Sequence, residues 1–343
     1  MPKNADLEAL LRLDAAGAAA FLRRVDRSLT APLEQFLLRA GKGLRGQVVE
    51  AGFRLGHSGR EFDARAQAAC AVLAEAIEAI HAGSLIVDDI QDRTQVRRGA
   101  PAFHRAHGVD VAINAGNLLY FWGLHRIGAA GLTADAELAC SRRLHRELLR
   151  AHYGQAVDVG TPIDEVPRAE VFPLYLAAIR LKSGVLMALA LTLGATAAGA
   201  ADERLAQLDE FGHRLGMGLQ MFDDLNNIAP MASSDPNYAK RFEDLLLRRP
   251  SWVWAFAAKT CSDRDYVTFI EAVGALPEEA PFRGWLAAHD FLPRARVAAS
   301  AFVDEAYDGF EQAWPAVERA AAAFDSLREV ASRFSHPFVS GPA

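Results

Sequence analysis

Apolar residues recur at helical spacing along most of the chain, and glycine- or proline-containing turns separate the apolar stretches. The pattern predicts helices over residues 7–27, 32–39, 47–56, 64–80, 78–94, 109–127, 134–159 and 204–228, and two more that meet near Lys182 within 167–201. A polar loop follows Pro230, and residues 242–338 carry helical patterns that are broken near Pro277, Pro281 and Pro293. No stretch alternates like a strand. We therefore predict an all-α protein with a single domain over residues 1–343.

The composition supports a helical protein with a large hydrophobic core. The chain has 343 residues, of which 51% are hydrophobic, and Ala and Leu dominate over Val, Ile and Thr, which favours helix. The net charge of -6 and the pI near 5.9 argue against a nucleic-acid-binding protein, because such a protein needs a basic surface.

Cysteine usage and the first residues bear on the compartment. Residues 1–24 carry acidic residues early and lack the layout of a signal peptide. Cys70, Cys140 and Cys261 are too scattered for a disulfide framework or a zinc motif, so we expect a reduced, cytoplasmic protein. Residues 183–201 are uncharged and almost long enough to span a bilayer. Because this stretch is rich in Ala, Gly, Ser and Thr, we interpret it as a buried helix and not as a membrane span.

Residues 78–104 contain an acidic helix face. If this segment is helical as far as Thr94, His81 and Leu85 share one side of the helix with three aspartates. The aspartates are Asp88, Asp89 and Asp92. Like charges within two helical turns repel one another unless a cation lies between them. Oxygen ligands suit Mg²⁺, which completes its shell with water and substrate phosphate, so the face predicts a magnesium site.

Two basic stretches accompany that face. Arg97 and Arg98 end the segment, and paired guanidiniums bind phosphate well, so metal and arginine together predict a diphosphate site. Lys42 and Arg45 lie three residues apart in the glycine-rich AGKGLRG, where both could reach one anion. The alternatives are a solvated acidic face and an ordinary basic helix end. Apolar neighbours such as Ile86 disfavour the first alternative, because buried carboxylates need partners.

A second acidic face closes the helix predicted over 204–228. Its polar residues fall at i, i+3, i+4 and i+7, and they are Gln220, Asp223, Asp224 and Asn227. More than a hundred residues separate the two faces, and each needs counter-charge. We predict that they face each other across a cavity, where Mg²⁺ ions bridge both to one diphosphate. Further positive charge would come from Lys182, Arg97 and Lys240.

Such a site would ionise a carbon–oxygen bond. Pyrophosphate leaves, and bound metal stabilises the charge that develops on it. A carbocation remains, so the walls must be apolar and must exclude water. An allylic diphosphate, whose cation is stabilised by resonance, is therefore the predicted substrate class.

Five motifs over residues 36–256 resemble those of the trans-isoprenyl diphosphate synthases, and they occur in that family's order. They are AGKGLR, HAGSLIVDDIQD followed by RRGAP, GQAVD, KSG and GLQMFDDLNN. The sequences DDLNNI, EDL and AINAGNLLYF are most similar to the eukaryotic-type geranylgeranyl diphosphate synthases. The resemblance implies a single large helical bundle of the isoprenoid synthase type around a central apolar cavity. It also implies a homodimer, to which the helix with Tyr120 and Trp122 could contribute.

The resemblance implies a role for each matching residue. Mg²⁺, expected as three ions with substrate bound, would be held by the catalytic aspartates Asp88, Asp89, Asp92, Asp223 and Asp224. The allylic substrate would meet Arg97, Gln220 and the catalytic Lys182. The diphosphate of isopentenyl diphosphate would meet Lys42, Arg45, His81 and Arg98. The departing pyrophosphate is implied as the base. Lys240 lies four residues before Asp244, one fewer than in the family, which leaves the roles of Lys240 and Asn227 open.

The implied activity is Mg²⁺-dependent condensation of isopentenyl diphosphate with an allylic diphosphate. Gly83 and Ser84 are small and would not block a farnesyl-length product, and Tyr120 and Phe121 resemble the lower floor of geranylgeranyl enzymes. We therefore predict a twenty-carbon product, with farnesyl or another length as the alternative. A terpene cyclase on the same fold is a second alternative, but it would not need the four residues assigned to isopentenyl diphosphate. An inactive partner subunit is a third, and such subunits typically lose one aspartate motif.

Overall fold

The structure, a computed structural model, describes residues 11–12, 15–39, 44–56, 62–231, 238–314 and 321–335. It is all-α, as predicted, apart from one short hairpin among these residues. In chain order the helices are α1 (Ala15–Val25), α2 (Ala31–Leu38), α3 (Leu44–Gly56), α4 (Ala64–Gln91), α5 (Phe103–His107), α6 (Val109–Ile127), α7 (Ala134–Gly160), α8 (Arg168–Ile179), α9 (Val185–Ala197), α10 (Asp202–Ile228), α11 (Glu243–Leu246), α12 (Trp252–Thr260), α13 (Asp263–Gly274), α14 (Glu279–Ala288), α15 (Phe291–Ala313) and α16 (Ala321–Ser335). Short 3₁₀ helices occupy Ile163–Glu165 and Tyr238–Lys240, and π-helical turns occupy Asp26–Thr30 and Arg180–Gly184.

The segment after α4 differs from the sequence prediction. The helix was predicted to continue to Thr94 but ends at Gln91, because Arg93 adopts a left-handed conformation with φ 56°. A two-stranded hairpin follows, β1 (Val96–Arg97) and β2 (Ala100–Pro101), although no strand was predicted. Its two turn residues both have positive φ, which is the geometry that joins antiparallel strands over a two-residue loop. Strands of two residues are too short to produce a visible alternation in the sequence.

The prolines mark helix starts as well as breaks. Pro277, in a cis peptide bond, separates α13 from α14 as predicted. Pro281 and Pro293 instead lie in the first turns of α14 and α15, where the missing N–H has no intrahelical partner to lose. A helix therefore begins two residues before each of these prolines, close to the predicted breaks. The loop predicted after Pro230 lies mostly outside the described residues.

The chain groups into two compact units. Unit 1 comprises Met1–Gly43 and Ala79–Trp122, and unit 2 comprises Leu44–Glu78 and Gly123–Ala343. The core of unit 1 is built from fully buried side chains of α2, α4, α5 and α6, among them Leu33, Phe36, Ile86, Phe103 and Leu119. The rings of Phe36 and Phe103 meet edge to face, with centroids 5.7 Å apart. The single domain and the central apolar cavity stay predictions.

Helix α9 forms the centre of unit 2. It packs on α3, α7 and α10, and its residues from Ala188 to Thr196 are almost all fully buried. Two described stretches, Ala64–Gln91 and Arg168–Ala197, are long and apolar enough to cross a membrane, with 50% and 56% of their most apolar windows buried in the structure. Core helices pass the same test, so these stretches are weak evidence for a span.

Candidate active site

The first acidic motif contains one carboxylate that is fully buried. Asp89 is 0% exposed, and both of its oxygens accept hydrogen bonds from Nε of Arg97, at 2.9 and 3.0 Å. Nη2 of Arg97 also donates to Asp89. Asp88 and Asp92 are half-buried, and Asp92 lies just past the end of α4 with its N–H still bonded to the Asp88 carbonyl at 2.9 Å. Asp89 is therefore neutralised from within the chain, by the arginine that the sequence assigned to substrate.

The hairpin positions the two arginines differently. Arg97 lies in β1 and turns towards Asp89, whereas Arg98 is an exposed turn residue with φ 53°. Nη1 of Arg98 donates to the Arg39 carbonyl at 3.0 Å, and Nη1 of Arg39 donates to the Pro101 carbonyl at 3.1 Å. The hairpin is thus joined to the end of α2, three residues before Lys42. Lys42 itself lies outside the described residues.

The other residues assigned to isopentenyl diphosphate lie in separate units. His81 is half-buried on α4, and its carbonyl accepts from Oγ of Ser84 at 2.8 Å. Arg45 lies in the first turn of α3 in unit 2, with Nη1 3.6 Å from Oε2 of Glu78. Whether these side chains converge on one anion stays a prediction.

The chain-length candidates have unequal environments. An added Cβ at Gly83 would lie 2.7 Å from the Gly116 carbonyl oxygen, so the small size of Gly83 serves the close packing of α4 on α6. Burial raises the pKa of Tyr120 to about 12, and the charge of Asp88 adds to the effect, which puts this phenol near the first motif. Phe121 is 69% exposed. Within one chain, Tyr120 is therefore the better candidate for a floor, and the role of Phe121 and Ser84 stays a prediction.

Lys182 occupies a π-helical turn in unit 2. The turn Arg180–Gly184 joins α8 to α9 without a break, and such turns are frequent at functional sites. Nζ of Lys182 donates to Oδ2 of Asp158 at 2.6 Å, and Asp158 is 9% exposed. This ion pair explains why Asp158, within GQAVD, interrupts an apolar helical pattern. The motif alone did not indicate this role for Asp158.

The second acidic motif, like the first, contains a buried aspartate. Asp224 is 4% exposed, and its Oδ2 accepts from the hydroxyl of Tyr175 at 2.8 Å and from the backbone N–H of Trp252 at 2.6 Å. Its Oδ1 accepts from Nε2 of Gln220 at 2.7 Å. Burial raises the pKa of Asp224, although the three donors act in the opposite direction. Asp223, the neighbouring residue, is exposed.

A third carboxylate belongs to this cluster. Burial, followed by the charges of Asp224 and Asp158, raises the pKa of Asp244 well above its ordinary value, and Lys182 lowers it less. At the end of α10, Nδ2 of Asn227 donates to the Lys240 carbonyl at 2.9 Å. Lys240 thus lies beside the second motif through its backbone.

The donor set fits magnesium. No three His, Cys, Asp or Glu side chains in the described part of the chain gather closely enough to hold a metal ion by themselves. In unit 1, Asp88 and Asp92 offer hard oxygen ligands to a cation that completes its shell with water and phosphate, and in unit 2 Asp223 offers the same kind of ligand. Asp89 and Asp224 accept hydrogen bonds from the chain, and their role as metal ligands stays a prediction.

Sequence reasoning missed Tyr175 and Trp252. Tyr175 lies seven residues before Lys182, but a tyrosine in an apolar helix gives no signal that its hydroxyl is used. Trp252 contributes a backbone N–H, which no sequence pattern identifies. Within unit 2 the structure brings Gln220 and Asp224 together, and the facing of the two acidic motifs, which lie in different units, stays a prediction.

Comparisons with known proteins identify the family of the chain. The polyprenyl synthetase family model matches residues 26–280. The geranylfarnesyl diphosphate synthase of Aeropyrum pernix is 32% identical over 210 residues, which are 60% of this chain and 64% of that protein. The geranylgeranyl diphosphate synthase of Methanosarcina mazei is 35% identical over 152 residues, 44% and 46% of the two chains. The matches thus span less than two thirds of either relative.

Solved structures show the same fold. The geranylgeranyl pyrophosphate synthase from Corynebacterium glutamicum, solved with isoprenyl diphosphate and magnesium, has a TM-score of 0.74 at 23% identity, with 90% of each chain covered. The geranylgeranyl pyrophosphate synthetase from Pyrococcus horikoshii has a TM-score of 0.73 at 22% identity, again with 90% of each chain covered. The family model covers well over half of the sequence, and the fold agrees with it. The chain belongs to the polyprenyl synthetase family.

Proposed function

We propose that the protein is a Mg²⁺-dependent trans-prenyltransferase that condenses isopentenyl diphosphate with an allylic diphosphate. The observation that carries the proposal is the hydrogen bond from Arg98 to the Arg39 carbonyl. It holds the basic side chain of Arg98 at Arg39, which precedes Lys42 by three residues in the sequence, in the same unit as the first acidic motif. A second diphosphate site, separate from the carboxylates, is what a condensation needs and a cyclisation does not.

The proposed reaction begins at the allylic diphosphate. Its C1–O bond breaks, and the electron pair leaves with pyrophosphate. Mg²⁺ at Asp88, Asp92 and Asp223 would supply the positive charge that stabilises this leaving group. Lys182 and Gln220 orient the diphosphate. The double bond of isopentenyl diphosphate then attacks C1 to form the new carbon–carbon bond, and the adduct loses a proton to pyrophosphate.

The proposed product is geranylgeranyl diphosphate, with twenty carbons. The relatives bear the names geranylgeranyl and geranylfarnesyl diphosphate synthase, so the family match leaves twenty and twenty-five carbons open. Tyr120 supports the shorter length, because it lies near Asp88 and is bulky. Replacement of Tyr120 by Ala should lengthen the product, whereas Phe121→Ala should do so only if a second copy of the chain brings Phe121 into the cavity.

A homodimer belongs to the same proposal. Val109, Ile113 and Phe121 lie along one side of α6 and are 46%, 47% and 69% exposed. This apolar strip would be covered by the second copy. Light scattering of the wild type and of Phe121→Glu tests the point, since the charge should produce monomers if the strip is the interface.

Product analysis tests the proposed activity. Protein and Mg²⁺ are mixed with isopentenyl diphosphate and, in turn, the five-, ten-, fifteen- and twenty-carbon allylic diphosphates. Elongation that stops at twenty carbons supports the whole proposal, and a different stopping length keeps the transferase but rejects Tyr120 as the floor. A cyclic hydrocarbon formed without isopentenyl diphosphate would favour the cyclase. Asp88→Asn and Asp223→Asn should each lose activity by orders of magnitude with the fold unchanged.

A further inference from the structure

One tyrosine hydroxyl connects the second acidic motif to neighbouring helices. Tyr175, on α8, is 0% exposed and donates to Oδ2 of Asp224 on α10 at 2.8 Å. The N–H of Trp252, the first residue of α12, donates to the same oxygen at 2.6 Å. A single carboxylate therefore joins three helices, and its side-chain position is fixed by donors from two of them.

The other oxygen of Asp224 accepts a hydrogen bond from Gln220 and so fixes the position of that side chain. Nε2 of Gln220 donates to Oδ1 of Asp224 at 2.7 Å, and Oε1 of Gln220 accepts from Oγ of Ser183 at 2.7 Å. The amide is thus held at both ends. Its orientation depends on where Asp224 lies, and Gln220 is the residue that the proposed function assigns to the allylic diphosphate.

We infer that Tyr175 is a positioning residue for prenyl transfer, whose hydroxyl fixes Asp224 and, through Asp224, the amide of Gln220. The inference rests on the proposed function. The contact that carries it is the 2.8 Å hydrogen bond from the Tyr175 hydroxyl to Oδ2 of Asp224. Phenylalanine at this position would keep the ring beside that of Trp252, with centroids 6.0 Å apart, and would remove only the donor.

The chain provides a matched control. Tyr307 is 3% exposed, and its buried hydroxyl has no hydrogen-bond partner in the described structure, so Tyr307→Phe also removes one buried oxygen. We expect Tyr175→Phe to lower kcat about ten-fold, because a misplaced Gln220 amide no longer orients the allylic diphosphate. Binding of inorganic pyrophosphate with Mg²⁺, measured by calorimetry, should weaken several-fold. KM for isopentenyl diphosphate should not change. Tyr307→Phe should match the wild type in all three measurements.

Two further variants keep the inference testable if Tyr175→Phe is unstable. Ser183→Ala removes the donor at the other end of the Gln220 amide and should weaken pyrophosphate binding in the same way. In an Asp224→Asn background, Tyr175→Phe should change pyrophosphate binding much less than it does in the wild type, because the two residues act in series. Circular dichroism verifies the fold of each variant.

The outcomes separate the inference from the proposed function. Wild-type protein that binds no pyrophosphate and transfers no prenyl group would refute the proposed function itself. Active wild type with an equally active, equally binding Tyr175→Phe variant would overturn the inference alone. So would a loss of the same size in the wild-type and Asp224→Asn backgrounds, or a change confined to KM for isopentenyl diphosphate.

Discussion

Replacement of Arg97 by Met should destabilise the protein before any substrate is added. The Arg97 guanidinium donates to both oxygens of Asp89, which is 0% exposed. Removal of one member of such a pair leaves a buried charge, which typically costs about 3–5 kcal/mol. The side chain of Arg97 is itself only 19% exposed, so solvent screens the pair weakly. We therefore expect a loss of about 3 kcal/mol in the free energy of unfolding.

Urea denaturation of the metal-free protein measures this loss. The matched control is Arg105→Met on α5, in the same unit, because Arg105 is exposed and its replacement should change stability by less than about 0.5 kcal/mol. The double variant Arg97→Met with Asp89→Leu removes both charges and should recover most of the lost stability. It should not recover turnover, since the first motif then lacks an aspartate.

Two results would refute the reasoning about Arg97. One is a loss no larger than that of Arg105→Met, which would mean that Asp89 is not held by this arginine in solution. The other is a double variant as unstable as Arg97→Met alone, which would mean that the cost comes from lost packing and not from an unpaired carboxylate. A stable Arg97→Met protein that has lost only substrate affinity would favour the role that the sequence first suggested.

Two further predictions concern unit 2. An added methyl at Gly194 would lie 1.9 Å from a backbone oxygen of α3, so Gly194→Ala should lower the melting temperature by several degrees. The control is Gly309→Ala on α15, where an added methyl would meet no neighbouring atom within 4 Å. Because alanine favours helix more than glycine does, this variant should melt at a slightly higher temperature. Loss of hydration would raise the pKa of Asp209, but His213 and Arg143 lower it overall, so its stabilising effect is present above pH 3.8 and fades as the pH falls through the lowered pKa. Asp209→Asn should cost about 1 kcal/mol at pH 7, and urea denaturation should show the difference shrinking below pH 4.

Local periodicity was enough to predict most helices and the acidic face of α10, whereas Asp92 of the first face lies just past the end of α4. The face of α10 follows from spacings of three and four residues, which fix directions along a helix whatever surrounds it. The hairpin, the π-helical turn at Lys182 and the bond from Tyr175 to Asp224 could not be predicted in this way. That bond joins residues 49 positions apart, and the partner on α12 is a backbone N–H, so neither leaves a pattern in the sequence.

The paired aspartates illustrate what sequence spacing leaves undecided. Consecutive side chains on a helix project about 100° apart, so two adjacent carboxylates project in different directions and have different surroundings. In both motifs the second aspartate is the buried one, Asp89 at 0% and Asp224 at 4% exposure, while Asp88 and Asp223 are more open. The partners differ, an arginine in one motif and a tyrosine with a backbone N–H in the other. Because unrelated donors satisfy the same position in each motif, the buried carboxylate is the one that the chain itself holds in place, a difference between adjacent aspartates that their spacing does not reveal.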